Sequence, residues 1–164
     1  MSTAFWMCSE NTISSMKRKA VQLESLIPIL KERFKEDKDA IIQIKGTSMR
    51  PFYRDNQTLV KLTQPGELKK RDAVLFVSER GHYVLHRIEK IKGDTLIISG
   101  DGNRLKDTVP TSNVIARVKA HSHDNIHWTD ERNPQFRRKV MLWQRLKPLR
   151  GILMRFKRFN HKDG

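Results

Sequence analysis

Cysteine is nearly absent from the 164-residue sequence. Cys8 stands alone, which excludes an intramolecular disulfide and a thiolate metal cluster. Long apolar runs are missing too. A membrane-spanning helix needs ~20 consecutive apolar residues, and patches such as Leu26 to Leu30 run straight into charges. Met1 to Thr12 contains Phe5, Trp6 and Met7 but no basic stretch ahead of an apolar one, so it makes a poor signal peptide. There is no internal repeat, no helix-turn-helix pattern and no aromatic-studded RNA-binding motif. Acid is scarce: 18 Asp and Glu face 33 Lys and Arg, a formal net charge of +15. That excess predicts attraction to something anionic and says nothing about fold.

What is present divides by pattern into four regions. Residues 1–39 hold an N-terminal segment and an amphipathic helix over Ile13 to Lys35, with Met16, Ala20, Leu23, Leu26, Ile27 and Leu30 at helical spacing. Pro28 inside it predicts a kink or a restart. Residues 40–120 change to short β-type runs: 40–45, 57–62, 73–78, 82–91, 95–99 and 113–119, separated by turn signals such as Gly93-Asp94. Six short strands in so little chain predict an antiparallel, coiled β core, mainly β in class. Residues 121–133 are polar and read as a linker. Residues 134–164 form a basic amphipathic tail in which Pro148 and Gly151 divide a helix.

Three stretches carry possible chemistry. Gly46-Thr47-Ser48-Met49-Arg50-Pro51 follows a predicted strand. Glycine there permits a sharp turn and brings backbone N–H groups near a serine hydroxyl, which becomes a nucleophile once a base takes its proton. Alone, such a stretch is commonly a turn. Val84-Leu85-His86-Arg87-Ile88 lies in a strand whose alternation puts Val84, His86 and Ile88 on one face. A histidine so placed is either a satisfied core residue or a base with a suitable pKa. Ser99-Gly100-Asp101-Gly102-Asn103, with Asp107 after it, offers carboxylates able to orient an imidazole, or simply an Asp-Gly turn.

Taken together and in this order, the three stretches resemble the signal-peptidase and LexA-type serine peptidase superfamily. The histidine is similar to that of the archaeal and endoplasmic-reticulum branch, where the typical bacterial enzymes use lysine. The resemblance spans residues 40–119. It implies a coiled antiparallel sheet, Ser48 as nucleophile, His86 as general base, Asp101 as orienting carboxylate and Asp107 as a second acidic position. Gly46, Thr47, Met49 and Pro51 match as shapers of the nucleophile turn. The implied activity is a serine endopeptidase acting on a leader or precursor peptide, with no cofactor and no metal. The chain departs from the family where Arg54-Asp55 and Arg71-Asp72 replace Gly-Asp. It also has Gly46 where many members carry a serine that assists the oxyanion, which leaves backbone N–H groups, chiefly that of Ser48, for that task. No membrane anchor is visible.

The tail offers a substitute. Trp143, Arg145, Lys147, Arg150, Arg155, Lys157 and Arg158 combine apolar and basic groups as an interfacial helix does, which predicts peripheral contact with an anionic membrane. The competing reading docks this helix on the domain. The expected location is cytoplasmic or peripheral to a membrane. His121, His123 and His127 share the polar stretch and read as loop rather than as metal ligands. A different class of function, a non-catalytic peptide- or membrane-binding module with the same fold, is the alternative. A self-cleaving regulator ranks last, because neither a DNA-binding domain nor an Ala-Gly cleavage site precedes Ser48.

Overall fold

The computed structural model describes residues 6–8 and 23–147. The mainly β expectation holds: the described strands form one sheet in which every pairing is antiparallel. In chain order the elements are β1 (Trp6–Cys8), α1 (Leu23–Lys35), β2 (Ala40–Gln43), β3 (Leu59–Thr63), β4 (Ala73–Val77) and β5 (Tyr83–Lys92). They continue with β6 (Thr95–Ser99), β7 (Asp107–Pro110), β8 (Val114–Ser122), β9 (Thr129–Asp130) and α2 (Pro134–Arg145). Across the sheet the order is β1-β2-β3-β8-β4-β5-β6-β7, with β9 beside β8.

α1 runs through Pro28 as one helix, so the expected restart does not occur. Leu26, Ile27, Leu30 and Phe34 are buried on one face. Full burial of a side chain such as Leu30 is worth about 1.5–3 kcal/mol. The helix closes on a left-handed Asp37 with φ 56°. There Lys38 N–H donates to Arg33 O at 2.9 Å and Asp37 N–H to Phe34 O at 3.1 Å, the paired bonds that satisfy the last carbonyls of a helix. The part of the predicted helix before Leu23 lies outside the described residues.

Alternation along β4 and β5 builds two cores. Leu75 and Leu85 join α1, β2, β3 and β8 in one cluster, while Val74, Phe76 and Ile88 join β6, β7 and Val114 in the other. The ladder slips at Lys61/Leu62, Leu75/Phe76 and Ile88/Lys90. Extra residues at such slips bend and twist a sheet, and they re-aim the side chain they insert. Glu89 is the inserted residue in β5.

Two boundaries change. Residues 121–133 are not a linker: β8 continues through Ser122, β9 pairs with it, and His121 and Glu131 are buried. β7 was also missing from the strands expected from the sequence, and it completes the second core through Val109. The tail begins as α2, with Pro134 in its first turn and the Asn133 side chain accepting from the N–H groups of Gln135 and Phe136. Phe136 and Val140 are buried, so over its described length the helix docks on the domain. Trp143 and Lys147, expected at a lipid surface, are turned inward instead: the Trp143 indole donates to Asp101 O at 2.8 Å, and the Lys147 ammonium meets Glu89 and Ser99. Arg145 is exposed; Arg150, Arg155, Lys157 and Arg158 lie outside the described residues. Among the described residues no helix is long and apolar enough to cross a membrane.

Candidate active site

The chain leaves β2 and turns at Gly46, whose φ of 108° suits glycine. Gly46 N–H donates to the Asp55 carboxylate at 2.7 Å. Met49 follows, 2% exposed in the first core, and Tyr53 N–H donates to Met49 O at 3.0 Å. Ser48 is thus half-buried, on a turn pinned by a carboxylate on one side and by a buried thioether on the other. Thr47 and Arg50 close the turn through Arg50 N–H to Thr47 O at 3.1 Å, and Pro51 is exposed beyond it.

A second turn, after β6, packs against the first. Gly102 N–H donates to Ser48 O at 2.8 Å. A methyl group added to Gly100 would stand 2.5 Å from Ser48 O and 3.2 Å from His86 Nε2. The Ser48 turn and the His86 imidazole therefore meet against one bare glycine. No hydrogen bond joins Ser48 Oγ to His86 among the described residues; such bonds are often long before substrate binds. Gly100→Ala is expected to push the Ser48 turn away, since the clash is with a backbone carbonyl, and to slow any reaction at Ser48 by about 100-fold, because a shift near 1 Å is enough for that. Gly102→Ala meets its nearest atoms only at 3.2–3.3 Å and should cost less. Rates of covalent labelling of Ser48 in the two variants check this order.

Sheet register decides which carboxylate faces His86. Ile88 pairs with Ile98, and Ile98 with Asp107, so these residues share a face with His86, two positions along β5. Asp107 Oδ2 lies 3.5 Å from His86 Nδ1, an ion-pair distance at which Nδ1 makes no hydrogen bond. Arg87 pairs with Ser99, and Asp101 is two residues further on, so its carboxylate belongs to the opposite face. Both of its oxygens accept from Arg87 Nε, at 2.9 and 3.0 Å. The expectation that Asp101 orients the imidazole is corrected: its carboxylate is held by Arg87 on the opposite face, and Asp107 is the carboxylate that stands 3.5 Å from Nδ1.

His86 is 8% exposed, with the Phe76 ring centroid 6.0 Å from its own. Burial pushes the imidazole below its ordinary pKa, Asp107 opposes this and Lys147 adds to it. Burial thus favours the neutral ring, the form a base requires.

Behind the site lies a buried network that sequence reading missed. Arg87 is fully buried, and its Nη1 donates to Glu131 at 2.8 Å and to Arg71 O at 2.9 Å. Glu131 reaches His121 Nδ1 at 2.7 Å. Although burial pushes Glu131 upward, the charge of Arg87 and the His121 hydrogen bond hold its carboxyl below the usual range. Phe52, Tyr53 and Phe136 surround the guanidinium, each ring centroid 5.7 Å away. The signal available was a charge inside an apolar strand, which demands buried partners. The other two histidines of the 121–133 stretch turn elsewhere: His123 to Thr58 and His127 to Asp124.

Comparison of the chain with family models, with characterised proteins and with solved structures found no match.

Proposed function

We propose that the chain is a serine endopeptidase of the signal-peptidase type. The observation that carries this reading is Gly100, against which the Ser48 turn and His86 Nε2 both pack, with Asp107 at the other ring nitrogen. Ser48 Oγ attacks the peptide carbonyl as His86 Nε2 takes its proton. The tetrahedral oxyanion rests on backbone N–H groups of the turn, chiefly that of Ser48. His86 then returns the proton to the leaving amine, and water, deprotonated by the same base, releases the acyl group. Asp107 favours the imidazolium that forms in each half. The substrate is an extended peptide lying beside the site as an added strand, with small residues before the cut, as the family resemblance implies.

A serine-reactive fluorophosphonate or peptide aldehyde tests the reading. Wild-type protein is expected to be labelled and Ser48→Ala not. The missing Ser48–His86 hydrogen bond favours the second reading, a peptide-binding module that kept the fold. A folded wild-type chain that resists every such reagent overturns the peptidase reading and shifts the choice to the module.

A further inference from the structure

A cavity of about 570 Å³ opens between the β3–β4 turn, β5, the 100–107 loop and α2. That is within the range of ligand-binding clefts. Six basic side chains line it, Lys70, Arg71, Arg104, Lys106, Arg145 and Lys147, against one acid, Glu89. Glu89 is already engaged by Lys106 and Lys147. Among the described residues, Lys70, Arg71, Arg104 and Arg145 have no acidic partner, and Arg71 Nε is buried without a hydrogen bond.

Arg71 supplies a separate observation. Its φ is 76°, a conformation glycine adopts freely and a side-chain-bearing residue only at a cost. The backbone is held there by Arg71 N–H to Ile88 O at 2.8 Å and by Arg87 donating to Arg71 O at 2.9 Å. An arginine standing where glycine would relax the turn points to use of the side chain. At the other turn where the sequence departs from Gly-Asp, the left-handed residue is Asn56, so Arg54 bears no such strain.

The cavity adjoins the proposed site through shared chain. The loop that supplies Arg104 and Lys106 begins at Gly100, against Ser48 O and His86 Nε2, and reaches Asp107 immediately after Lys106. We propose that this cavity binds acidic side chains of the peptide substrate, on the segment next to the bond that Ser48 cleaves. The inference rests on the peptidase reading for the identity of the ligand, and it makes the substrate an acidic peptide. A concave pocket joined to the nucleophile turn suits one or two carboxylates of an extended chain, each met by guanidinium forks.

The test uses full-length Ser48→Ala protein, so binding is read without turnover and a failed peptidase reading leaves the measurement intact. A fluorescent hexaglutamate peptide is titrated beside its hexaglutamine counterpart, with inorganic phosphate and phosphatidylglycerol vesicles in parallel. Hexaglutamate is expected to bind and hexaglutamine not. Arg71→Gly combined with Arg145→Gln is expected to weaken hexaglutamate binding by about tenfold or more, one lost charged contact being worth that much. Arg71→Gly alone should melt no lower than its parent, because it releases the backbone, which separates lost binding from lost folding. Equal binding of the two peptides, or unchanged hexaglutamate binding by the double variant, overturns the proposal. Variants that lose vesicle binding but keep peptide binding overturn it too and assign the cavity to lipid headgroups.

Discussion

With His86 replaced by alanine, acylation of Ser48 is expected to slow by about 10²–10⁴-fold, the usual worth of a positioned general base. The serine hydroxyl then has only water to take its proton, while the turn that presents it is untouched: Met49 stays in the core and Gly102 N–H stays on Ser48 O. The wild-type rate should rise with pH as the imidazole loses its proton and level off with a midpoint below the ordinary histidine value of about 6.5, since burial disfavours the charged ring. Asp107→Asn removes the one neighbour that opposes burial. Its plateau should be lower and its acid limb displaced to still lower pH. Stopped-flow labelling between pH 4 and 9 separates these effects. An acid limb that moves upward in Asp107→Asn would remove Asp107 from contact with the base.

Arg87→Met is expected to cost about 3–5 kcal/mol, the usual penalty for stranding a buried charge. Domains commonly have only about 5–15 kcal/mol in hand. Methionine fills similar space but leaves Asp101 and Glu131 without their cation in an interior where neither is more than 2% exposed. The loss should also depend on pH, with a definite sign. In the wild type Glu131 is held below the carboxylate range, so its contribution is present above the unfolded pKa and fades as pH falls through the depressed folded value. Without Arg87, only His121 still opposes burial at Glu131, and Asp101, which burial already raises in the wild type, moves further upward. Folded protein then holds protons that unfolded chain has released, and stability falls as pH rises through the raised value. Urea unfolding should therefore show a larger deficit at pH 8 than at pH 5. Equal deficits at the two values would mean that the network does not govern these carboxylates.

Which parts of this were legible in the sequence follows from the range of the interactions. The Ser48 turn and the face of His86 are local matters: a glycine with positive φ, a buried methionine and strict alternation fix them within a few residues. The roles of Asp101 and Asp107 are not local. They lie in one loop and are sorted by the register of β5, β6 and β7, in which the parity of a residue decides its face. β7 itself is four residues, Asp-Thr-Val-Pro, whose composition reads as turn and whose strand character comes from pairing with β6. The stretch from His121 to Glu131 failed for another reason. Composition equates polar with exposed, and Glu131 is buried because its cation stands 44 positions earlier in the chain. The tail divided similarly: Phe136 and Val140 were visible as an apolar stripe, but nothing in the stripe said whether protein or lipid would cover it.

His86 and Arg87 are neighbours on one strand and face opposite sides of the sheet, one toward the candidate site and one into the buried network. Drift therefore acts on the two residues unequally. Under the proposed peptidase reading, losing the histidine would end catalysis at little expense to folding, whereas losing the arginine would cost about 3–5 kcal/mol of stability. An arginine kept beside a lost histidine would thus mark a relative that needs the architecture without the proposed chemistry.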